Sequence, residues 1–136
     1  VLAPVGRGGH ARPGGRAAQW WGRVCRPHGR SAAEARAADG IEAEVIDVRT
    51  LVPLDRATIL ASVSRTGRLV IVDYAHRSCG AAAEIAAIVA EDGFESLRKP
   101  IQRVTTPDVN IPFAPSLERP LYPSAERIVA AVKRLI

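Results

Sequence analysis

The sequence has 136 residues, of which 47% are hydrophobic, and its mean hydropathy is close to zero. These values are typical of one soluble globular domain with a single hydrophobic core. The longest uncharged aliphatic run, Leu69 to Val72, is far shorter than the roughly 20 apolar residues that cross a bilayer, so no membrane span is expected. Arg, Gly and Pro interrupt the first residues too often for a signal peptide, and we expect a cytoplasmic location.

The net charge of +5 is concentrated in residues 1–31. This segment holds six of the nineteen Arg and Lys residues, seven Gly, three Pro and no acid, whereas the rest of the chain has thirteen basic and fourteen acidic residues. Gly costs about 1 kcal/mol and Pro about 3 kcal/mol in a helix interior. The composition therefore predicts a flexible or irregular arm with neither a helix nor a central strand. We prefer to interpret it as an unselected leader; the alternative is a nucleic-acid-binding tail in which Trp20 and Trp21 stack on bases.

The sulfur-containing residues are two cysteines, Cys25 and Cys79, and no methionine. The two cysteines lack the spacing of a metal site, and we expect free thiols in a reducing compartment. The absence of Met and a start at Val1 suggest a fragment or a processed chain.

From Ser31 onward, helix and strand patterns alternate around the segment GIEAEVIDVRTLVPLD, residues 40–55. Four consecutive aliphatic residues in RLVIVDY indicate a central strand that is buried on both faces. Residues 107–123 are rich in Pro and are predicted to form an ordered but irregular surface excursion. The predicted helices are 31–39, 56–65 with Asp55 as N-cap and Gly67 as terminator, 80–92, and 124–136 with Ser124 as N-cap; the predicted strands are 43–48, 68–74 and 100–105.

This alternation predicts an α/β fold, a three-layer sandwich with a mostly parallel sheet. Three strands make a small sheet. A further strand from the first 30 residues or from a partner is a plausible addition.

Candidate chemistry is sparse and centres on the loop after the central strand. His76 and Cys79 could act as base and nucleophile, but no third orienting group is evident, and a polar loop is the preferred interpretation. Gly80 at a helix start could present backbone N–H groups to a phosphate, although SCGAAAE lacks a GxGxxG fingerprint. Surface or capping roles are expected for three acids, Asp47, Asp73 and Glu84.

Four segments resemble the C-terminal domain of the transketolase family, and specifically the β subunit of thiamine-diphosphate-dependent 2-oxo acid dehydrogenases of the pyruvate or branched-chain type. They are GIEAEVIDVRTLVPLD, TGRLVIVDYAHRSCGAAAEIAA, PIQRVTTPDVNIPFAP and LYPSAERIVAAVKRLI. The RTLVPLD segment is typical of the wider family, and TPDVNIPFAP favours the dehydrogenase β subunit over transketolase. The resemblance covers about residues 31–136.

The resemblance implies a domain without chemistry of its own. In this family thiamine diphosphate and Mg²⁺ lie between two other domains, so we expect no catalytic residue, cofactor site or metal site here. The expected role is docking, with a second copy or with subunits of a 2-oxo acid dehydrogenase complex as partners. The alternatives are a small enzyme that binds a nucleotide or thiamine diphosphate around residues 76–80, and nucleic-acid binding through the arm. The candidate partner or dimer interface comprises Arg49, His76, Arg77, Glu91, Arg98 and Ile136.

Three departures from the family pattern are visible. Arg98 stands where members usually carry an acidic or small residue, which would weaken docking of a basic partner. Cys79 replaces one of two glycines that are often adjacent in the family. Residues 1–31 match nothing, so the sheet is expected to lack its usual first strand, and we divide the chain into an arm, 1–31, and a domain, 32–136. We hypothesise that the arm is an out-of-frame translation of GC-rich DNA; an intact upstream frame at the genomic locus would contradict this.

Overall fold

A computed structural model describes residues 1–5 and 42–136. The predicted helix at residues 31–39 and most of the arm lie outside the described residues. Short 3-10 helices lie at Phe94–Ser96 and Arg119–Leu121. The strands and α-helices are β1 (Leu2–Val5), β2 (Glu42–Val45), α1 (Arg56–Thr66), β3 (Val70–His76), α2 (Ala81–Asp92), β4 (Gln102–Thr106), α3 (Pro115–Glu118) and α4 (Ala125–Lys133).

The four strands form one sheet in the order β2-β1-β3-β4. β3 and β4 pair in parallel, and β1 pairs antiparallel with both β2 and β3. Strands β2, β3 and β4 therefore run in the same direction and β1 runs against them. This confirms the α/β fold with a parallel pair, β3 and β4, and the inserted β1 makes the other two pairings antiparallel.

Strand β1 comes from the arm, for which composition predicts no central strand. That prediction is wrong for Leu2–Val5, since these residues pair with Glu42–Val45 on one side and with Val70 on the other. The segment LAPV precedes the first Gly and the first Arg of the chain. The average composition of residues 1–31 therefore conceals a local apolar run. The sheet, expected to lack its first strand, has an inner strand from this segment, and the suggestion of an added strand from the first 30 residues is confirmed.

Hydrogen bonds confirm the predicted start and end of α1 and the predicted start of α4, whereas α4 ends at Lys133 and not at residue 136 as predicted. The Asp55 carboxylate accepts from Thr58 N at 3.0 Å and begins α1. Gly67, with φ of 68°, adopts the left-handed conformation that ends this helix and donates its N–H to Val63 O at 2.7 Å. Ser124 Oγ accepts from Arg127 N at 3.3 Å at the start of α4.

Helices cover both faces of the sheet, which confirms the three layers. Alternate residues of a strand point to opposite faces, and the strand residue Val70 and its preceding neighbour Leu69 contribute to different clusters. One cluster joins Val70 and Val104 to the inner face of α4. The other lies beneath α1 and α2 and contains Ile59, Val63, Leu69, Ile71, Ala82, Ile85 and Val89. None of the helices in the described part of the chain has the length and apolar character that a bilayer crossing requires.

Candidate docking surface at the carboxyl ends of the strands

Two segments meet where the parallel strands β3 and β4 end. One is the loop at residues 75–80, and the other is the Pro-rich excursion at residues 107–123. Ser78 donates its backbone N–H to Asp108 Oδ1 at 2.9 Å and its hydroxyl to Asp108 Oδ2 at 2.8 Å. Arg77 N donates to Thr106 O at 2.9 Å. These bonds hold the two segments against each other.

His76 adds a further contact between the same two segments. Its Nε2 lies 3.1 Å from Val109 O. A carbonyl oxygen only accepts, so this contact assigns a proton to Nε2. An open depression of about 380 Å³ lies beside this contact, lined by His76, Ser78, Asp108, Val109 and Asn110. Four of these five residues use their polar groups to hold the loop and the excursion together.

The contact with Ser78 stabilises the ionised form of the Asp108 carboxyl. Hydrogen bonds from the backbone N–H and then the hydroxyl of Ser78 hold its pKa below the usual value of 3.8, and the charges of His76 and Arg77 act in the same direction. Asp108 is therefore ionised at neutral pH and acts as an acceptor that fixes the loop.

The proposed pairing of Cys79 with His76 gains no support. Cys79 is an exposed free thiol, and no hydrogen bond links it to His76 within this described loop. The imidazole is instead engaged with Val109 O through Nε2. No third group orients the two side chains for nucleophilic chemistry.

The N-terminus of α2 does not offer an anion site. Asp73 Oδ2 accepts from Ala82 N at 3.0 Å, and Oδ1 accepts from Ala75 N at 3.0 Å, which confirms the capping role predicted for Asp73. The space beside Gly80 is already filled by this carboxylate and by a backbone oxygen. A Cβ added at Gly80 would lie 2.7 Å from His76 O and 3.3 Å from Asp73 Oδ2. An incoming phosphate would meet this carboxylate instead of free N–H groups.

Thiamine diphosphate and Mg²⁺ would need a site for the diphosphate and oxygen ligands for the metal. Within residues 1–5 and 42–136, no group of three His, Cys, Asp or Glu side chains is placed to hold a metal ion. The one helix start in the candidate loop is already capped by Asp73. The start of α2 is therefore not free to bind a diphosphate.

The excursion carries exposed apolar side chains. Phe113 is 101% exposed and Leu117 is 62% exposed, and Val109 and Ile111 are also in contact with solvent. We call these four residues the docking strip. Large exposed apolar side chains that lie close together in sequence are candidates for a protein contact surface.

Hydrogen bonds from α4 hold the C-terminal end of the excursion. The Arg127 guanidinium donates to Leu121 O at 3.0 Å and Tyr122 O at 2.9 Å through Nη1, and to Thr105 O at 2.8 Å through Nη2. The Tyr122 ring packs on Tyr74 with centroids 5.4 Å apart. The predicted ordered excursion is confirmed, and part of it is helical in α3.

The six candidate interface residues do not form one cluster. His76 and Arg77 lie at the docking surface, whereas Arg49 pairs with Asp47 after β2 at 3.6 Å. Glu91 is exposed near the end of α2, and the backbone N–H of Arg98 donates to Gly67 O at 2.8 Å. Ile136, predicted to lie on the apolar stripe of the last helix, is 40% exposed, while its predecessor Leu135 is buried. An interface role for these six residues stays a prediction.

Sequence reasoning missed the docking strip itself. Its signal was present, because NIPFAPSL places apolar residues between prolines without helix or strand periodicity. Such residues have no regular element through which to reach the core. They are therefore candidates for exposed contact.

The architecture is that of a three-layer α/β domain. Its parallel strands β3 and β4 end next to the excursion at residues 107–123, which carries exposed apolar side chains. The chain belongs to the family described as transketolase, C-terminal domain, which matches residues 22–128. This confirms the resemblance read from the sequence.

The similar proteins are β subunits of larger enzymes. The chain is 48% identical over 103 residues to the acetoin:2,6-dichlorophenolindophenol oxidoreductase subunit beta of Cupriavidus necator, covering 76% of this chain and 30% of that protein. It is 50% identical over 103 residues to the mitochondrial pyruvate dehydrogenase E1 component subunit beta-1 of Arabidopsis thaliana, covering 76% of this chain and 28% of that protein. The chain thus spans less than a third of these relatives. Bacterial and mitochondrial proteins are both among them, and the cytoplasmic location stays a prediction.

Proposed function

We propose that this chain is a non-catalytic assembly domain of the type found in 2-oxo acid dehydrogenase β subunits, and that it docks through the docking strip. The observation that carries the proposal is Phe113, a large aromatic side chain wholly in solvent on an excursion whose C-terminal end is held by Arg127 through Leu121 and Tyr122. Burial of this ring by a partner would remove a large apolar surface from water, which favours a role as an anchor at an interface.

The comparisons support the class of partner. The relatives are named as subunits of acetoin oxidoreductase and pyruvate dehydrogenase, so each works with other polypeptides. By this analogy the partners of the present chain are subunits of such a complex. Any turnover of a 2-oxo acid or of acetoin would then belong to the assembled complex.

The surface chemistry also favours docking over catalysis by the isolated chain. The polar groups of the candidate loop are used internally, since Asp108 binds Ser78, Asp73 binds Ala82, and His76 contacts Val109 O. None of these three side chains is left to bind a substrate. Apolar side chains face solvent beside them.

A segment exchange tests the docking role. Residues 42–136 would replace the corresponding segment of the Cupriavidus necator β subunit, and copurification with its partner subunit and dichlorophenolindophenol reduction with acetoin would be measured. We expect the exchanged subunit to assemble. Phe113→Asp should weaken assembly by about tenfold or more, because it places a charge where the interface would bury an aromatic ring. Ala87→Asp, on the exposed face of α2, is the control and should leave assembly unchanged. Full assembly of the Phe113→Asp protein would overturn the proposal.

Calorimetry separates the enzymatic alternative. Titration of the 136-residue chain with thiamine diphosphate and Mg²⁺ should give no saturable heat, since Asp73 already caps the helix start in the loop and no group of metal ligands is found among the described residues. A saturable response followed by 2-oxo acid decarboxylation in the same sample would support the enzyme and contradict the non-catalytic role.

A further inference from the structure

We infer that the acidic turn at residues 91–95 binds the arginine-rich segment that connects β1 to β2 in the same chain. The acidic turn has the sequence EDGFE, and the connecting segment comprises residues 6–41. The acidic turn follows α2 and lies at the end of the sheet opposite to the docking strip. The inference therefore concerns a second surface and does not depend on the proposed function.

The acidic turn holds an exposed aromatic side chain on an anchored backbone. Phe94 is 71% exposed and begins the 3-10 helix at Phe94–Ser96. Gly93 N donates to Val89 O at 3.0 Å. A Cβ added at Gly93 would lie 3.1 Å from Leu60 Cδ2, so the turn packs closely against α1. The described residues therefore leave most of the Phe94 side chain in contact with solvent.

Two unpaired carboxylates flank this side chain in sequence. Glu91 and Glu95 are exposed, and neither forms a salt bridge within the ranges 1–5 and 42–136. Asp92 is paired with Arg56. The two cations that follow the turn, at residues 98–99, form no salt bridge with either glutamate. Guanidinium groups stack on aromatic faces and pair with carboxylates, so this combination favours arginine as the bound side chain.

Both ends of the connecting segment lie at the amino end of the parallel strands. Val5 pairs with Glu42, so the chain leaves β1 and enters β2 at the same place. β2 and β3 run in the same direction, and Leu2 pairs with Val70, the first residue of β3. Because β1 runs against β3, its last residue, Val5, extends past the amino end of β3.

The acidic turn lies at this same end of the sheet. α2 connects β3 to β4 and ends near the amino end of β4, because the two strands are parallel. After the turn, Arg98 N donates to Gly67 O at 2.8 Å and Gln102 N donates to Leu69 O at 3.0 Å. These bonds hold the chain beside the residues that precede β3. The acidic turn and the two ends of the connecting segment therefore share one end of the domain.

The connecting segment has the charge and the length that this contact requires. Residues 6–31 contain six Arg and no Asp or Glu. At about 3.3 Å per extended residue, half of the segment spans up to about 60 Å, whereas a domain of about 100 residues has a radius of gyration of about 13 Å. Because the segment is tethered at the end where the turn lies, its effective concentration there is high. Opposite charges then favour contact between its arginines and the turn.

Fluorine NMR of the 136-residue chain tests the inference. The chain contains two Phe residues, Phe94 and Phe113, so labelling with 4-fluorophenylalanine gives one signal from the acidic turn and one from the docking strip. A neutral soluble gadolinium chelate broadens each signal according to its exposure. When the six arginines of residues 6–31 are replaced by Gln, broadening of the Phe94 signal should rise by about twofold or more, because the stacked guanidinium no longer covers the ring. The Phe113 signal should stay unchanged. Equal broadening of Phe94 in the two proteins overturns the inference.

Substitution of the carboxylates identifies the other side of the contact. Glu91→Gln combined with Glu95→Gln should raise the broadening of the Phe94 signal in the same direction, since the arginines lose their charged partners. Glu84→Gln, an exposed position at the other end of α2, is the control and should leave it unchanged. An unchanged Phe94 signal in the double variant would contradict the inference.

Protein concentration distinguishes the segment of the same chain from that of another copy. A contact within one chain protects Phe94 equally at every concentration, whereas protection that grows with concentration would overturn the inference. The segment exchange that tests the docking strip uses residues 42–136 and omits the connecting segment. The two proposals are therefore tested separately, and failure of one leaves the other standing.

Discussion

Cys79 has a backbone conformation that a side chain disfavours. Its φ is 59°, the only positive value for a non-glycine residue within the described ranges 1–5 and 42–136. A Cβ in the left-handed region costs about 1 to 2 kcal/mol. A glycine would adopt this conformation without steric cost, which gives a physical reason for the two adjacent glycines of the family pattern. In this chain the Cys79 side chain stands at such a position.

Replacement of this side chain should stabilise the domain. Cys79→Gly removes the steric cost but adds about 0.4 to 1 kcal/mol of chain entropy to the unfolded state, so we expect a net gain of up to about 1 kcal/mol in the free energy of unfolding. Urea denaturation measures it. Cys79→Ala is the matched control, because it removes the thiol and keeps the Cβ; an equal gain in that variant would assign the effect to the sulfur instead.

Asp108 should lose its hold on the loop in acid. Its folded-state pKa lies below 3.8, chiefly because the Ser78 backbone N–H donates to it. A depressed pKa means that the carboxylate stabilises the folded state above the unfolded pKa and loses this effect as pH falls through the folded value. In an NMR titration, the Ser78 amide should shift with an apparent pKa below 3.8. In Asp108→Asn that transition should be absent, and its persistence would show that another group titrates.

At the scale of elements, the sequence was sufficient where local hydrogen bonds set the boundaries. Helix ends are fixed by contacts within four residues, at Asp55, Gly67 and Ser124. Such local contacts can be predicted from the sequence. Strand β1 could not be predicted from local sequence, because it forms by pairing with Glu42–Val45, about forty residues away. Its prediction needed the sheet that it joins.

The candidate site was predicted only in part for the same reason. His76 and Arg77 were placed in the loop after β3, but the contact of His76 with Val109 joins residues 33 apart. No periodicity encodes a hydrogen bond between two irregular segments. The excursion was identified from its prolines, whereas the residues that fix it, among them Arg127, came from a different element.

Arg127 should account for the order of the excursion. Arg127→Met removes three hydrogen bonds from a charged donor to backbone oxygens, and we expect a loss of about 1.5 to 3 kcal/mol in the free energy of unfolding. Hydrogen exchange should quicken first in residues 107–123. Arg119→Met, an exposed position on the excursion, should change stability by less than about 0.5 kcal/mol. Equal effects of the two substitutions would contradict the structural role of Arg127.

At the scale of the whole molecule, the first residues of the arm and the strands of the domain pair in one sheet. Val1 N donates to Ile46 O at 2.9 Å, and Ile46 N donates to Val1 O at 2.8 Å, which extends the pairing of β1 with β2. The Val1 side chain also packs against the cluster beneath α1 and α2. Val1 therefore contributes to the same core as the transketolase-like segments.

Replacement of β1 distinguishes an integral strand from an unselected leader. With Gly and Ser at residues 1–5, the pairing with four residues of β2 is weakened, and at about 1 kcal/mol per net hydrogen bond we expect a loss of about 2 to 4 kcal/mol in the free energy of unfolding. Native-state hydrogen exchange should show the earliest loss of protection in β2. The amides of β4 serve as an internal control, because β4 pairs with β3 on the far side of the sheet from β1. A change below about 0.5 kcal/mol, as for an ordinary surface substitution, would mean that the domain is held together without its arm.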